Sequence, residues 1–401
     1  MPGPLHGYRI IDLTSMISGP SATMLLADQG ADVIKVENPQ GGGDHTRAAS
    51  NRRAGFSASF LNNNRNKRSV ALDLKAPGAL AALLRLTAGA DVFVQNFRPG
   101  VAERMGVGEG AVRAVAPDIV YVSISGFGEH GPYAGKPVYD PLVQAMSGLA
   151  TVQAGSDDAP PRLVRTILPD KLTGITAAQA ITAALLARAR TGEGQHVRLS
   201  MLDAVIAFLW GSDMGSQTFV GDAFPQQEAA SFIDLIYATA DDYITAAVQS
   251  DREWAALTRA LDRPEWLQDA RFKSPALRQQ NIDARLQMTQ DVLKTRTAAE
   301  WLARLTAEGV PCAPVLTRSE LLRHPQVTAN GIVVETDHPI AGRLRQARPA
   351  ARFSSTPAGI RSGAPALGEH TRKVLTGLGY AAAEIDVLAG AVAAAAHGHG
   401  A

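Results

Sequence analysis

The sequence predicts an α/β protein: a large domain built from both ends of the chain, with a parallel sheet covered on both faces, and a small α+β domain inserted between. Two observations carry this. Through the first 200 residues, strand-like and helix-like segments alternate, as in sheets whose parallel strands are joined by crossover helices. After about residue 215 the alternation gives way to a hairpin and a run of helices, and strand signals resume near residue 331. The expected boundaries are 1–215 and 330–401 for the large domain and 216–329 for the small one.

Arg9 to Leu13 reads as a strand, followed by a helix from Pro20 to Gln29 that ends at Gly30. Asp32 to Glu37 is a strand broken by Asn38-Pro39 and three glycines, and Ser69 to Leu74 is another. Pro77 at a first turn opens a helix ending near Gly89. Strands follow at 91–94 and 119–123, then a long helix from about Asp170 to Arg190 leads into a strand over 195–199. In the inserted part, a hairpin over 236–248 turns at Asp241-Asp242, with helices around 251–262, 276–294 and 298–308. A strand over 331–335 and one further helix finish the chain.

Of the 401 residues, 46% are hydrophobic and 19% charged, which is ample for a core. The net charge of +1, without a block of one sign, argues against nucleic acid or an anionic membrane as main partner. A single cysteine, Cys312, excludes an intrachain disulfide framework and fits a reducing cytoplasm. The start of the chain has no secretory pattern, and no run of about 18 apolar residues is expected. The reading is a soluble cytoplasmic protein.

Glycine clusters at 41–43 and 106–110 lack dinucleotide or P-loop spacing, and Ser123 to Gly128 lacks the hydrolase elbow. The histidines and the lone cysteine show no metal-ligand spacing, so no metal and no permanently bound cofactor are expected. Polar residues instead gather at strand ends, where doubly wound sheets bind ligands. Arg65, Lys67, Arg68, Lys75 and Arg98, beside amides and Phe97, would suit an anionic ligand carrying adenine; solvated loop charges are the alternative. Asp170, after Pro169 and before an apolar run, reads on its own as a helix N-cap.

Six segments together resemble the class III CoA-transferase family (CaiB/BaiF type), which includes formyl-CoA transferase and carnitine CoA-transferases. They are LLADQGADVIKVENP (25–39), NRNKRSVALDLK (64–75), NFRPGVAERMGVG (96–108), SISGFGEHGPY (123–133), RTGEGQHVRLSMLDA (190–204) and PALGEHTRKVL (365–375). The resemblance implies a Rossmann-like large domain, a small domain, and an interlocked homodimer. It implies transfer of coenzyme A from an acyl-CoA, with succinyl-CoA a common donor, to a free carboxylic acid. Coenzyme A is then part of the substrate.

By the same resemblance Asp170 is the catalytic nucleophile, forming an aspartyl-CoA thioester. CoA contacts fall on Ile17, Ser18, Leu72, Asp73, Leu74, Lys75, Asn96, Phe97, Arg98 and Arg104. Gly126, Gly128 and Tyr139 are candidate oxyanion or substrate contacts. Formyl-CoA transferase has glutamine where this chain has Ile17 and arginine where it has Asn38, which argues against oxalate/formate specificity. The racemase branch of the superfamily carries a catalytic histidine where this chain has Tyr139. Transferase is therefore the preferred reading, with an acyl-CoA racemase or a silent CoA-binding homologue as alternatives.

Overall fold

The computed structural model describes residues 2–155, 157–221 and 235–389. Two compact units are present, one of Met1–Phe232 with Gly331–Ala401 and one of Ile233–Asn330.

The first unit is organised by a six-stranded sheet. Its strands are β1 (Arg9–Asp12), β2 (Asp32–Glu37), β5 (Lys67–Ala71), β6 (Val92–Gln95), β7 (Val120–Ser125) and β8 (His196–Ser200). A two-residue hairpin, β3 (Arg52–Arg53) and β4 (Phe56–Ser57), lies apart from it. The order is β5-β2-β1-β6-β7-β8, and every pair is parallel. The chain builds outward from β1 in one direction, then returns and builds outward from β6 in the other. The C-terminal ends of β1 and β6 therefore flank the crevice where such sheets take ligands.

Successive residues along these strands enter two different cores, as strand alternation requires. Ile11, Ile34, Phe93 and Tyr121 pack with Leu83 and Val112 on one face. Ile10, Val33, Val92 and Val120 pack with Leu26, Ala177 and Ile181 on the other. Burial on both faces explains why these strands read as near-continuous apolar runs.

The covering helices of the first face are α3 (Ala79–Thr87) and α5 (Glu109–Val115), with the short α4 (Val101–Arg104) before α5. The opposite face carries α1 (Ser18–Asp28) and α8 (Leu168–Thr191). Small residues let these two approach closely. A Cβ on Gly174 of α8 would lie 2.0 Å from Ser21 Oγ and 3.0 Å from the Ser18 carbonyl of α1. Gly192 ends α8 at φ 78°, a left-handed backbone that glycine adopts without strain.

By length and mean hydropathy alone α8 could cross a membrane, although Lys171, Gln179 and Arg188 interrupt its apolar run. Its Ala177, Ile181 and Leu185 are instead packed into the sheet core.

The C-terminal part returns to the sheet edge. His370 N–H donates to the Ser69 carbonyl at 2.9 Å, and Ala71 N–H donates to Thr371 Oγ1 at 2.9 Å. The single helix expected there is two, Thr371–Gly377 and Ala382–Ala389, separated by Gly379 at φ 85°. The helix expected from Pro77 begins at Ala79, because Gly78 takes a left-handed backbone at φ 81°.

The second unit holds a three-stranded sheet, β9 (Ile236–Ala238), β10 (Tyr243–Ala246) and β11 (Cys312–Pro314). Its core is aromatic, with Trp254, Trp266, Phe272 and Trp301. The expected helix over 276–294 breaks at Asn281 into Pro275–Gln280 and Ile282–Leu293.

Candidate active site

A cavity of about 740 Å³ opens at the C-terminal ends of β1, β2, β5 and β6. That is room for a large cofactor-sized ligand. Its walls include the loop after β1 (Leu13, Thr14, Ser15), the residues after β5 (Leu72, Asp73, Leu74, Lys75), Phe97, and the end of α4 with Arg104. Asp73 Oδ1 accepts the Lys75 N–H at 3.0 Å, a local turn that carries the chain off the strand at the cavity wall. Among the described residues, neither Lys75 nor Arg104 has an ion-pair partner, so both cations are available to an anion.

The structure thus brings Leu72, Asp73, Leu74, Lys75, Phe97 and Arg104 together around one cavity. Arg98 faces an adjoining cavity of about 250 Å³ that shares Phe97 and Glu103 with the first. Asn96 sits beneath the wall: its Oδ1 accepts Ser15 N–H at 3.0 Å and its Nδ2 donates to the Ser15 carbonyl at 2.8 Å. Ile17 and Ser18 line neither cavity and instead start α1. Glu37, Asp44, His45 and Glu103 also line the larger cavity. Sequence reasoning missed them, although Glu37 and Asp44 flank the glycine cluster at 41–43.

The expected five-cation cluster is corrected. Arg65 pairs with Asp28 at 2.7 Å, Arg68 with Asp32 at 2.5 Å, and Lys67 with Asp12 at 3.0 Å. Lys67 and Asp12 are fully buried, so Lys67 is a core ion pair rather than a ligand contact. Of the five, Lys75 and Arg98 face cavities.

Asp170 is the third residue of α8, and Ile167 is the cap, so its reading as the N-cap is corrected. Pro169 at the second position supplies no N–H and starts the helix early. The Asp170 backbone N–H donates to Asp140 Oδ2 at 3.3 Å. Asp140 is buried at the start of α6 (Asp140–Met146), and its Oδ1 accepts the Gln144 amide at 2.6 Å.

Burial first, and then the negative charge of Asp140, push the Asp170 carboxyl up to about 6. The N–H and hydroxyl of Ser18 work in the opposite direction by bonding the ionised form. The start of a helix favours an ionised carboxylate, but at Asp170 desolvation outweighs the helix dipole. Above pH 6 the group is still mostly charged, in a half-buried setting where a carboxylate is poorly solvated and basic.

Gly128 N–H donates to Ser125 Oγ at 3.1 Å, so it is engaged within its own turn rather than presented to an oxyanion. A Cβ on Gly126 would lie 2.3 Å from Val138, which explains glycine there by packing. Tyr139 is 66% exposed at the cap position before Asp140.

The fold and this crevice define an α/β protein with a cofactor-sized, cation-bearing ligand site at the sheet's switch point and a basic carboxylate at the start of α8. Comparison gives the class a family. Residues 5–371 match the family described as CoA-transferase family III, and the chain belongs to that family.

It is 33% identical to the succinyl-CoA:glutarate CoA-transferase of Mus musculus, over 93% of this chain and 86% of that protein. It is 34% identical to the formyl-CoA:oxalate CoA-transferase of Streptomyces coelicolor, over 96% of this chain and 97% of that protein. Among solved structures, a CAIB/BAIF family protein from Brucella suis is similar at TM-score 0.79 and 30% identity, covering 94% of this chain and 100% of that one. The protein is a CoA-transferase, an enzyme that moves coenzyme A from an acyl-CoA thioester to a free carboxylic acid.

The two unpaired cations give a direct expectation for CoA binding. Replacing Lys75 with Met or Arg104 with Gln removes one positive charge from the cavity wall, and each should weaken CoA by about tenfold. Calorimetric titration at two salt concentrations checks this; the affinity of each variant should also fall less steeply with salt than that of the native protein.

Proposed function

We propose that the enzyme transfers coenzyme A through a covalent aspartyl-CoA thioester on Asp170, with succinyl-CoA as donor and a dicarboxylic acid as acceptor. The observation that carries this is the Asp170 carboxyl itself, half-buried, raised to about 6, and attended by Ser18, whose own chain segment begins in the cavity wall at Thr14 and Ser15.

The ionised Asp170 attacks the thioester carbonyl, and the C–S bond breaks to release CoA thiolate and leave a mixed anhydride. The thiolate attacks the aspartyl carbonyl, releasing the donor acid as its carboxylate and forming the aspartyl thioester. The acceptor carboxylate then attacks that thioester, and the thiolate returns to the acceptor's acyl carbon, restoring Asp170. Every step exchanges one nucleophile for another, and no net proton is gained or lost.

The cavity is proposed to take the anionic nucleotide end of CoA on Lys75 and Arg104, with Phe97 available for stacking on adenine and Arg98 reaching it from the adjoining cavity. Glutarate in the names of the murine and Agrobacterium fabrum relatives supports a dicarboxylic acceptor.

The small domain inserted in the large one, and an interlocked homodimer, belong to the same reading. Exposed apolar side chains on α8 and on α9 (Met201–Trp210), namely Ile175, Leu186, Phe208 and Trp210, support a second copy covering that face.

The test is chemical trapping. Enzyme incubated with succinyl-CoA, then denatured and treated with hydroxylamine, should yield a hydroxamate on the Asp170 peptide by mass spectrometry. Transfer at the native rate without any adduct there would remove the covalent mechanism. Solvent deuterium entering the acyl α-carbon without an acceptor acid would favour the racemase alternative.

A further inference from the structure

Between β1 and α1 the chain makes a short, strained crossing. Met16 has φ 72°, the left-handed region that a residue with a side chain enters only when its surroundings require it. Those surroundings are specific. Thr14 N–H donates to Asp12 Oδ1 at 2.8 Å, and the Thr14 carbonyl accepts from Lys35 Nζ at 2.7 Å. The Ser15 N–H and carbonyl are both taken by the Asn96 amide. Met16 N–H donates to Asp44 Oδ1 at 3.2 Å.

Three of these side chains come from different strands or strand ends, and Asp44 comes from the segment after β2. Behind them, Asp44 Oδ2 meets Lys35 Nζ at 2.8 Å with both side chains fully buried. Asp44 Oδ1 is further held by Thr46, through its N–H at 2.9 Å and its hydroxyl at 2.8 Å. The crossing ends at Ser18, which opens α1 against the first turns of α8. The Ser18 carbonyl lies 3.0 Å from where a Cβ on Gly174, one turn past Asp170, would sit. The N–H and hydroxyl of Ser18 favour the ionised Asp170 carboxyl.

We infer that the buried Lys35–Asp44 ion pair is a positioning device for the transfer reaction, holding the Thr14–Met16 crossing in its strained path so that Ser18 aims both donors at Asp170. Lys35 does not line the cavity, so it acts only through the crossing. An ion pair suits the task better than apolar packing. Its hydrogen bonds to one carbonyl and one N–H of the same crossing specify direction as well as distance. A displaced crossing would leave the Asp170 carboxylate in its desolvated site beside Asp140 without its opposing donors. This inference rests on the reading of Asp170 as the reacting group only for its effect on rate; its structural content is tested separately.

Asp170 ionisation is to be followed by carboxyl ¹³C NMR in protein labelled at aspartate, with the resonance assigned by its loss in Asp170→Asn. In Lys35→Met, which removes the bond to Thr14 and leaves Asp44 without its cation, the Asp170 midpoint should move upward. Ser18→Ala should move it in the same direction. In activity assays, Lys35→Met should lower kcat about tenfold or more while KM for acyl-CoA stays within about threefold.

Should Lys35→Met not fold, Met16→Val provides the second route. Met16 is at the surface, and a β-branched residue resists the left-handed backbone, so the core stays intact while the crossing shifts. It should raise the midpoint likewise. An unmoved midpoint in Lys35→Met, or in Met16→Val if the former does not fold, overturns the inference. Full activity in Asp170→Ala would remove the covalent mechanism while leaving the midpoint shifts as the measure of the positioning device.

Discussion

Asp170→Asn should abolish CoA transfer, by roughly 10³-fold or more, and at the same time make the folded protein more stable at pH 8. The two effects have one cause. In the native protein the Asp170 carboxyl is raised from 3.8 to about 6, first by burial and then by Asp140. The folded state therefore holds a proton on this group more tightly than the unfolded state does. Below about pH 4 both states are protonated and nothing is lost.

As pH rises from about 4 to 6 the unfolded chain ionises first, and the cost of charging Asp170 in the fold appears; above 6 it is complete. A neutral asparagine avoids that cost and can donate toward Asp140. Denaturant titrations should show the variant ahead by about 2 kcal/mol at pH 8, with the gap closing toward pH 4. The rate of the native enzyme should rise with pH through about 6, as Asp170 ionises. An asparagine variant less stable than the native protein at pH 8 would mean that Asp170 is not held under electrostatic stress.

The second large effect belongs to Lys67. Lys67→Met should leave too little stability for the chain to accumulate as folded protein. Lys67 Nζ donates to Asp12 Oδ2 at 3.0 Å, to the Pro20 carbonyl at 2.9 Å and to Asn64 Oδ1 at 2.9 Å, so its three donors are all used. Asp12 in turn accepts from Thr23 Oγ1 at 2.7 Å and from Thr14 through both its N–H and hydroxyl.

Burial alone would push the Asp12 carboxyl up. Lys67, Lys35 and these bonds outweigh it and bring it down to about 2. The stabilisation is therefore present above the ordinary carboxylate range and is lost only as pH falls through about 2. Removing Lys67 strands a fully buried carboxylate, at a cost of about 3–5 kcal/mol. That is a large part of the 5–15 kcal/mol typical of a folded domain. Pairing Lys67→Met with Asp12→Asn should recover much of the loss, because no unmatched charge then remains. The comparison of soluble yield and urea midpoint in the single and double variants reads this directly.

Lys67 also shows where reading from residues alone stops. Its neighbours Arg65 and Arg68 lie with it in one short basic run, and the expectation was a cluster facing an anion. Their partners Asp28, Asp12 and Asp32 are far upstream. They come into reach because β5 lies beside β2, which pairs Ile34 with Arg68 and Val33 with Lys67. Lys75 and Arg104, in contrast, follow strand and helix ends, where chain direction alone delivers a side chain to the C-terminal edge of the sheet. Both line the cavity.

The sequence by itself determined the α/β alternation, since apolar runs of strand length separated by helix-length segments have few other ways to bury themselves. It also carried the family resemblance, and with it the transferase activity and the proposal of Asp170 as nucleophile. Only the tertiary structure decided what kind of carboxylate Asp170 is. Its basicity comes from burial and from Asp140, thirty positions upstream, and its donors come from Ser18 on a different helix. Charge, solvent exclusion and hydrogen bonding act through space at a few ångströms, and separations along the chain do not disclose them.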